Sequence, residues 1–265
     1  MRRSFVKYSG CGNDFILIDN RDASFPEGGS AIAKQLCQRK MGIGADGLLL
    51  VETSNLANVR MSIFNADGSE AEMCGNGLRC VAAWLFQSQI KPSTPFYSVL
   101  VGEIVYLAEK KNGEICIRMP KPKSPPLVKE LEWKGHTYKC HWIDSGVPHA
   151  VTIVEELEEL PLEEIGPFVR FHPYWGPRGA NATFTKKLRA SEWKMRTFER
   201  GVEAETLACG TGGMAVAYLA DFLLPEPVPI CVEMASSEKL FFFRCDDFYW
   251  MQGPARLVFE GTVDL

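Results

Sequence analysis

The first half of the chain contains short, mostly apolar runs that predict β-strands, and these runs are separated by longer stretches that predict helices. Residues 15–18, 47–52 and 59–65 read FILI, GLLLVE and VRMSIFN, and such apolar, partly β-branched runs are typical of strands. The stretches AIAKQLCQRK at 31–40 and GLRCVAAWLFQSQ at 77–89 indicate helices instead. Strands and helices are thus mixed within one stretch of chain.

A β-hairpin is predicted between residues 98 and 119, where the chain reads SVLVGEIVYLAEKKNGEICIRM. Asn112-Gly113 lies within it, and Asn-Gly suits a two-residue hairpin turn because both positions need positive φ. The second half then follows the same order, with a strand at 150–154, an acidic helix-like stretch, two strand-like runs (NATFTKKL and MRTFERG) and a helix at 212–224.

Residue identities support this repeat at an offset of about 135 positions. The aligned pairs are Cys74 and Cys209, Gly75 and Gly210, Gly77 and Gly212, Val81 and Val216, Ala82 and Ala217, and Pro92 and Pro227. Upstream, SGCGNDFILID lies opposite SGVPHAVTIVE, which places Asn13 opposite His149. We therefore predict an α/β protein of the α+β type with two pseudo-symmetric domains.

The expected domains are residues 1–120 and 121–254. The segment MPKPKSPPLVKE at 119–130 contains four prolines and cannot form a regular helix, so we interpret it as the linker. The strand-like segment at 255–265 comes late enough to cross back and complete the sheet of the first half.

Composition is that of a soluble globular protein, with 46% hydrophobic and 23% charged residues among 265. The chain has 29 Lys and Arg against 33 Asp and Glu and no long basic block, so neither nucleic acid nor an anionic membrane is an expected partner. Its longest apolar run contains Asp221 and is shorter than the roughly 20 residues of a membrane-spanning helix. The N-terminus lacks the apolar region of a secretory signal, and we expect a cytoplasmic protein.

Three further patterns argue against a metal or nucleotide site. The nine cysteines form no CxxC pair and the four histidines show no ligand spacing, so reduced thiols are expected rather than disulfides or zinc. The GxGxxG at 42–47 follows a helix and precedes a strand, the reverse of a dinucleotide-binding motif. We interpret the acidic run at 155–164 as a solvated helix face.

Two similar turns, CGNGLRC beginning at Cys74 and CGTGGMA beginning at Cys209, open the helices of the repeat. A helix N-terminus has unpaired N–H groups and a positive dipole, which can lower a thiol pKa from about 8.5 to about 3.5–7.5. The glycines let a carboxylate approach those N–H groups. Ordinary packing explains one such turn as well as a function does, but two at equivalent places favour a function. The other seven cysteines are interpreted as small apolar residues.

A thiolate and a thiol on two such turns suit proton transfer at carbon. One cysteine would remove the proton α to a carboxylate while the other delivers a proton to the opposite face, which inverts the carbon without a metal or pyridoxal cofactor. The two helix dipoles would stabilise the enolate-like charge on the carboxylate.

Longer motifs resemble those of one known family over essentially the whole chain. They are, in order, GCGNDFILID, RKMGIGADGLLLVE, FNADGSEAEMCGNGLRC, SGVPHAV, RGANATF and FERGVEAETLACGTGG. These stretches resemble the diaminopimelate epimerases. The resemblance implies two domains, each a mostly antiparallel sheet rolled around a central helix, and a homodimer. It also implies cofactor-independent interconversion of L,L- and meso-diaminopimelate for lysine and peptidoglycan precursor synthesis.

The resemblance assigns roles to individual residues. Cys74 and Cys209 match the two catalytic thiols, with His149 paired to Cys74 and Glu199 to Cys209. The positions that match substrate-binding residues are Asn13, Asn65, Gly75, Asn76, Asn181, Glu199, Arg200, Gly210 and Thr211. The turn residues after each cysteine are expected to hold the reacting carboxylate, and Arg200 with the other asparagines the distal end of the substrate.

Three positions depart from the family pattern. Val147 stands where an asparagine is usual, the stretch between Arg200 and Thr206 is one residue longer, and Gly47 replaces a glutamine of some relatives. A site that loses a polar partner loses selectivity, because such a hydrogen bond contributes on the order of 1 kcal/mol. We hypothesise that the substrate range extends to a shorter acidic amino acid such as glutamate.

Other classes remain as alternatives. A proline-racemase-like enzyme also uses two cysteines, but the block FNADGSEAEMCGNG argues against it. A non-catalytic amino-acid-binding relative is disfavoured because both cysteines are present. In a redox-switched protein, a disulfide between Cys74 and Cys209 would abolish the chemistry described above.

Overall fold

The computed structural model describes residues 1–92, 94–223 and 229–265 of the chain. Pro227, one of the paired positions of the repeat, and Leu224, at the end of the second predicted helix, lie outside the described residues. No helix in those three ranges is long and apolar enough to cross a membrane. The structure is a mixed α/β fold dominated by sheet, and the chain divides into two compact units.

The first unit comprises Met1–Arg118 and Gln252–Leu265. Its elements before the second unit are β1 (Arg2–Gly10), β2 (Asn13–Asp19), α1 (Gly29–Leu36), β3 (Gly47–Glu52), β4 (Val59–Asn65), α2 (Gly75–Gln87), β5 (Tyr97–Val101), β6 (Ile104–Lys111) and β7 (Glu114–Pro120). Strands β2 and β3 are parallel and are joined through α1, and β4 and β5 are parallel and are joined through α2. The pairs β1–β2, β3–β4, β5–β6 and β6–β7 are antiparallel. This alternation follows from connection length, because a parallel pair needs a crossover and an antiparallel pair only a short turn.

Helix α2 is the central helix of this unit. Every residue from Gly75 to Ala83 is buried, and so is Leu85. A helix that is buried on all sides must be covered by protein on all sides, and α2 contacts β1, β2, β5 and β6. The predicted helix at 77–89 is confirmed, with its start two residues earlier.

The second unit is Met119–Met251. Its elements are β8 (Leu127–Trp133), β9 (His136–Asp144), β10 (Pro148–Ile153), α3 (Leu162–Arg170), β11 (Asn181–Arg189), β12 (Glu192–Glu199), β13 (Ala204–Thr206), α4 (Gly210–Leu223), β14 (Ile230–Glu233), β15 (Lys239–Arg244) and β16 (Phe248–Gly253). Strands β10 and β11 are parallel across α3, and β12 and β14 are parallel across α4. Residues Gly210–Ala220 of α4 are all buried. Apart from the additional strands β8 and β13, the order of elements therefore matches that of the first unit.

A final strand, β17 (Arg256–Asp264), belongs to the first unit. It pairs antiparallel with β1, from Arg2 opposite Asp264 to Ser9 opposite Arg256. The sheet of the first unit is thus built from both ends of the described chain.

The local predictions differ from the structure in two instructive places. The acidic run 155–164 is mostly not helical: α3 begins at Leu162, directly after Pro161, so that only Glu163 and Glu164 lie in its first turn. Acidic side chains suit that position because the helix dipole is positive there. Strand β8 also begins inside the predicted linker 119–130, because proline excludes helix from this segment but allows extended backbone.

The predicted hairpin turn is confirmed. Asn112 and Gly113 both have positive φ, 52° and 86°, and Lys111 lies opposite Glu114 in the pairing of β6 with β7. This is the geometry for which an Asn-Gly sequence is preferred.

Candidate functional site

The first cysteine turn lies at the N-terminus of the central helix α2. Cys74 is the N-cap residue, and its Sγ accepts a hydrogen bond from the Gly77 N–H at 3.3 Å. A Cβ on Gly77 would lie 3.1 Å from Leu49 Cδ2 and 3.5 Å from the sulfur itself. Glycine at this position lets the N–H group approach the sulfur while the helix packs closely against β3.

The second cysteine turn repeats the arrangement in the second unit. Cys209 Sγ accepts from the Gly212 N–H at 3.4 Å, at the start of α4. A Cβ on Gly212 would lie 2.9 Å from Met195 Cε and 3.3 Å from Cys209 Sγ. In both units a sulfur atom therefore caps the first turn of the buried helix, where an N–H donor and the helix dipole favour an anion.

Burial of the other cysteines fits their interpretation as apolar residues. Six are buried and one is half-buried: Cys11, Cys37, Cys80, Cys116, Cys140, Cys231 and Cys245. Burial raises the pKa of Cys37 to about 11 and raises that of Cys80 further still. Thiols in such surroundings stay protonated at neutral pH.

Asn13 and Asn76 meet in the first unit. Asn76 is buried next to Cys74, and its Nδ2 donates to Asn13 Oδ1 at 3.0 Å. Arg79, which is fully buried one turn farther along α2, donates from Nη2 to Asn76 Oδ1 at 2.8 Å. Sequence reasoning assigned no role to Arg79, although a charge inside an apolar helix was a visible signal.

Asn65 has a different setting in the same unit. It is the final residue of β4, and its Nδ2 donates to Ser69 Oγ at 2.9 Å. Its backbone N–H also bonds to the Ser69 carbonyl at 2.8 Å. These two bonds close the turn that follows β4 and hold Asn65 half-buried at the end of the strand.

His149 lies on β10, fully buried in the second unit. Its Nδ1 is 2.9 Å from Thr183 Oγ1, and its Nε2 is 3.0 Å from Thr211 Oγ1. Burial, with the positive charge of Arg200 as a second cause, lowers the pKa of His149 to about 3. The imidazole is therefore neutral at physiological pH and acts as a hydrogen-bonding group, not as a cation.

Thr211 links this histidine to the second cysteine. Its Oγ1 lies 3.4 Å from Cys209 Sγ, and its backbone carbonyl accepts a hydrogen bond from Ser145 Oγ at 2.8 Å. Within the second unit His149 thus reaches Cys209 through one hydroxyl group. Sequence reasoning assigned no role to Ser145 or Thr183, although Ser145 begins the motif SGVPHAV and Thr183 lies in RGANATF.

Asn181 braces two segments of the second unit. Its Oδ1 accepts the Arg200 backbone N–H at 2.7 Å, and its Nδ2 donates to the Pro148 carbonyl at 3.1 Å. Val147, which precedes Pro148, is half-buried, and its carbonyl accepts the Ser145 N–H at 3.2 Å. Both ends of the Asn181 amide therefore position neighbouring residues.

Glu199 is the last residue of β12, and Arg200 follows it in the longer turn noted in the sequence. Glu199 Oε2 accepts from Thr206 Oγ1 at 2.7 Å, across the pairing of β12 with β13. Glu203, in the turn, has a positive φ of 56° and accepts from the Gly201 N–H at 3.0 Å. Its carboxylate also pairs with Arg170 at 2.9 Å, which anchors the turn to the end of α3.

Within each unit, a candidate site surrounds the start of the central helix. The first unit brings Asn13, Gly75 and Asn76 near Cys74, whereas the second brings His149, Asn181 and Thr211 near Cys209. Among the described residues, no group of three or more His, Cys, Asp or Glu is arranged to hold a metal ion. The arrangement therefore contains thiols, which can transfer protons, and backbone N–H groups and side-chain amides, which can form hydrogen bonds.

Comparison with known proteins finds relatives that match nearly the whole chain. The family model for diaminopimelate epimerase matches residues 5–124 and 141–258. The diaminopimelate epimerase of Hydrogenobaculum sp. (strain Y04AAS1) is 37% identical, over 97% of this chain and 97% of its own length. That of Chlorobaculum tepidum is 39% identical, over 97% of this chain and all of its own.

Solved structures with the same fold are more distant in sequence. A PhzF-family phenazine biosynthesis protein of Bacillus anthracis has a TM-score of 0.73 at 17% identity, over the full length of both chains. A hydroxyproline epimerase from Agrobacterium vitis has a TM-score of 0.73 at 14% identity, over 99% of this chain and 92% of its own. The family model and the full-length relatives of 37% and 39% identity show that the chain belongs to the diaminopimelate epimerase family of isomerases.

Proposed function

We propose that this protein interconverts L,L- and meso-diaminopimelate by a two-base mechanism in which Cys74 and Cys209 move the proton. One observation carries the proposal: each cysteine sulfur accepts an N–H group in the first turn of its unit's central helix. The family membership and the relatives of that name support the substrate.

The proposed reaction accounts for every proton and electron pair without a cofactor. The thiolate of one cysteine takes the α proton, so that a C–H bond breaks, an S–H bond forms, and the electron pair passes to the carboxylate. The thiol of the other cysteine then gives its proton to the opposite face of the carbon. The roles of base and acid exchange when the reaction runs in reverse.

The turn residues are proposed to hold the reacting carboxylate. Backbone N–H groups of Gly75 and Asn76, and of Gly210 and Thr211, belong to the first turns of α2 and α4, where the helix dipole favours an anion. Donors fixed before the reaction stabilise the enolate-like charge as it develops. Arg200 supplies a bidentate fork for the distal carboxylate.

His149 and Glu199 are proposed to tune the thiols. Because burial keeps His149 neutral, it can accept a hydrogen bond and orient a neighbouring hydroxyl, and Thr211 is that neighbour. The pairing of His149 with Cys74 stays a prediction. Thiolate absorbance near 240 nm, followed against pH in Cys74→Ala and Cys209→Ala with and without His149→Gln, would show which thiol the histidine affects.

A broader substrate range is the second candidate. Val147 offers no side-chain hydrogen bond beside Pro148, whose carbonyl is held by Asn181. We therefore expect traces of glutamate racemisation beside turnover of diaminopimelate. A panel of amino acids tests this, and turnover of diaminopimelate with none of glutamate would exclude the broader range.

We also propose that the two units are the two domains of the repeat, and that the protein is a cytoplasmic homodimer. Leu257, Val258 and Phe259 are exposed on β17, which pairs with β1 on one side. An exposed apolar edge strand is a common place for a second copy to bind. A cytoplasmic location fits the proposed mechanism, because thiols are kept reduced in that compartment. Sedimentation of wild type and Val258→Lys tests the dimer, since a charge on this strand should yield monomers.

The decisive experiment is turnover in heavy water without added cofactor. Deuterium should enter the α carbon of the inverted product, and Cys74→Ala and Cys209→Ala should each stop inversion. Cys140→Ala, at a fully buried cysteine of the second unit, is the matched control and should retain activity. Inversion at the wild-type rate in either catalytic variant would refute the two-base assignment.

A further inference from the structure

Arg79 is an unfavourable residue for its position in α2, both because it is a cation near the helix N-terminus and because it is buried. The side chain is fully buried, in the second turn of α2, near the positive end of the helix dipole. A cation there is disfavoured by the dipole, and burial of a charge costs free energy unless the charge is well hydrogen-bonded. Residues that break local rules in this way are expected at functional places.

Its guanidinium group joins three segments of the first unit. Nη2 donates to Asn76 Oδ1 at 2.8 Å and to Cys11 Sγ at 3.2 Å. Nη1 donates to the Gly75 carbonyl at 3.4 Å, and Nε to the Pro254 carbonyl at 3.3 Å. Arg79 therefore ties the turn between β1 and β2, the start of α2 and the residues before β17 to one another.

The hydrogen-bonding chemistry of Arg79 fixes the orientation of two amides. An arginine has only donors, so the Asn76 atom that faces it must be oxygen, and the Nδ2 group of Asn76 must point the other way. That Nδ2 lies 3.0 Å from Asn13, so the Asn13 atom facing it must in turn be oxygen. The opposite end of Asn13 is then its NH2 group.

We propose that Arg79 is a positioning residue that sets the polarity of the Asn76–Asn13 pair, so that Asn13 offers an N–H donor to a carboxylate of the substrate. The proposal rests on the proposed function, because it requires an amino-acid substrate in this site. A reversed pair would present the Asn13 carbonyl oxygen instead, which repels a carboxylate.

The backbone around the pair gives it little room to shift. A Cβ on Gly10 would lie 3.1 Å from the Asn76 carbonyl and 3.3 Å from Cys80 Sγ, so the turn lies closely against α2. Cys11 and Gly12, the two turn residues, both have positive φ, 60° and 91°. The close backbone contacts thus hold the two amides in place. Each amide could still face its neighbour with either its oxygen or its NH2 group, and Arg79 fixes which of the two it is.

A double-mutant cycle tests whether Arg79 acts through Asn13. We expect Arg79→Gln, whose amide can accept as well as donate and so no longer fixes which end of Asn76 faces it, to lower kcat/KM for diaminopimelate about tenfold, mainly through KM. Asn13→Ala should lower it at least as much, and the double variant should be no worse than Asn13→Ala alone. Losses that multiply in the double variant would overturn the proposal.

Cys11→Gly is the matched control, because it removes another contact of the same guanidinium group, suits the positive φ and leaves both amides in place. It should retain kcat/KM within about twofold. Absence of wild-type turnover would contradict the proposed function, whereas turnover with multiplied losses would contradict only the role of Arg79.

A second measurement needs no substrate. In labelled protein, the Asn76 side-chain NH2 protons should exchange with solvent slowly in wild type and at least about tenfold faster in Arg79→Gln. Equal exchange in wild type, Arg79→Gln and Cys11→Gly would overturn the proposal even if the enzyme turned over another amino acid.

Discussion

His149 and Thr211 share a hydrogen bond of 3.0 Å between Nε2 and Oγ1, and the same hydroxyl lies 3.4 Å from Cys209 Sγ. A neutral, fully buried imidazole on β10 is thereby connected to the thiol at the start of α4. Because a hydroxyl group both donates and accepts, Thr211 can pass a change in polarity from one group to the other.

Replacement of the bridging hydroxyl should affect chemistry more than folding. We expect Thr211→Val to lower kcat/KM by roughly ten- to a hundredfold, because His149 loses a partner whose absence costs about 1–3 kcal/mol in a buried place. Thr211→Ser keeps the hydroxyl and should stay near wild type. Kinetics and the rate of Cys209 alkylation in a Cys74→Ala background check this, and equal loss in both variants would argue against the bridge.

Burial of His149 should make stability depend on pH. Its pKa is lowered to about 3 in the folded chain, from 6.5 when unfolded. Between these values the unfolded state binds a proton that the folded state excludes, so the stabilisation is full above pH 6.5 and is lost as pH falls toward 3. The limiting slope for one proton is about 1.4 kcal/mol per pH unit.

His149→Gln should therefore flatten the pH dependence of the free energy of unfolding. Urea unfolding at about pH 7, 6 and 5 measures it. His136→Gln, at an exposed histidine, is the control and should follow the wild-type slope. A wild-type slope in His149→Gln would contradict the lowered pKa.

The second glycine of each cysteine turn should be needed for activity. In Gly212→Ala the new Cβ would meet Met195 Cε at 2.9 Å and Cys209 Sγ at 3.3 Å. The flexible methionine can move, but the sulfur is pushed from its N–H donor, so we expect kcat to fall about tenfold or more with a modest loss of Tm. Adding Met195→Ala relieves the methionine contact and tests whether activity stays low. Wild-type kcat in Gly212→Ala would count against the capping geometry.

The longer turn after Arg200 should be held by the Arg170–Glu203 pair. Arg170 is buried whereas Glu203 is 39% exposed, and the two meet at 2.9 Å. Glu203→Gln keeps a hydrogen-bond acceptor but loses the charge, so we expect KM to rise about three- to tenfold with kcat less affected. Glu192→Gln, in a pair with the exposed Arg189, is the control for loss of one negative charge and should leave KM unchanged.

Helix starts and tight turns were predictable because their residues have few alternatives. Gly-x-Gly after a cysteine predicted where α2 and α4 begin to within two residues, and Asn112-Gly113 predicted the turn between β6 and β7. Strand β1 was missed because Lys7 interrupts its apolar pattern; the structure buries that lysine against Asp14 at 2.7 Å. A charge that is satisfied by a side chain on the neighbouring strand β2 cannot be recognised from the periodicity of β1 alone.

Side-chain contacts between segments that lie far apart in the sequence could not be predicted from local sequence patterns. The bond between His149 and Thr211 depends on how β10 and α4 pack, and the tie between Arg170 and Glu203 joins a helix end to a turn. The sequence marked His149 and Thr211 individually through resemblance. It had no means to join them, because their separation in the chain carries no periodic signal.

Because β17 pairs with β1, the first unit can complete its sheet only after β17 has been synthesised. A ribosome completes all of Met119–Met251 before it makes β17, so the second unit can fold while the first still lacks a strand. During that interval one edge of β1 has unpaired backbone groups and can join strands of other nascent chains. Aggregation during translation should therefore begin at β1, and a chaperone that covers this strand would protect the chain most effectively.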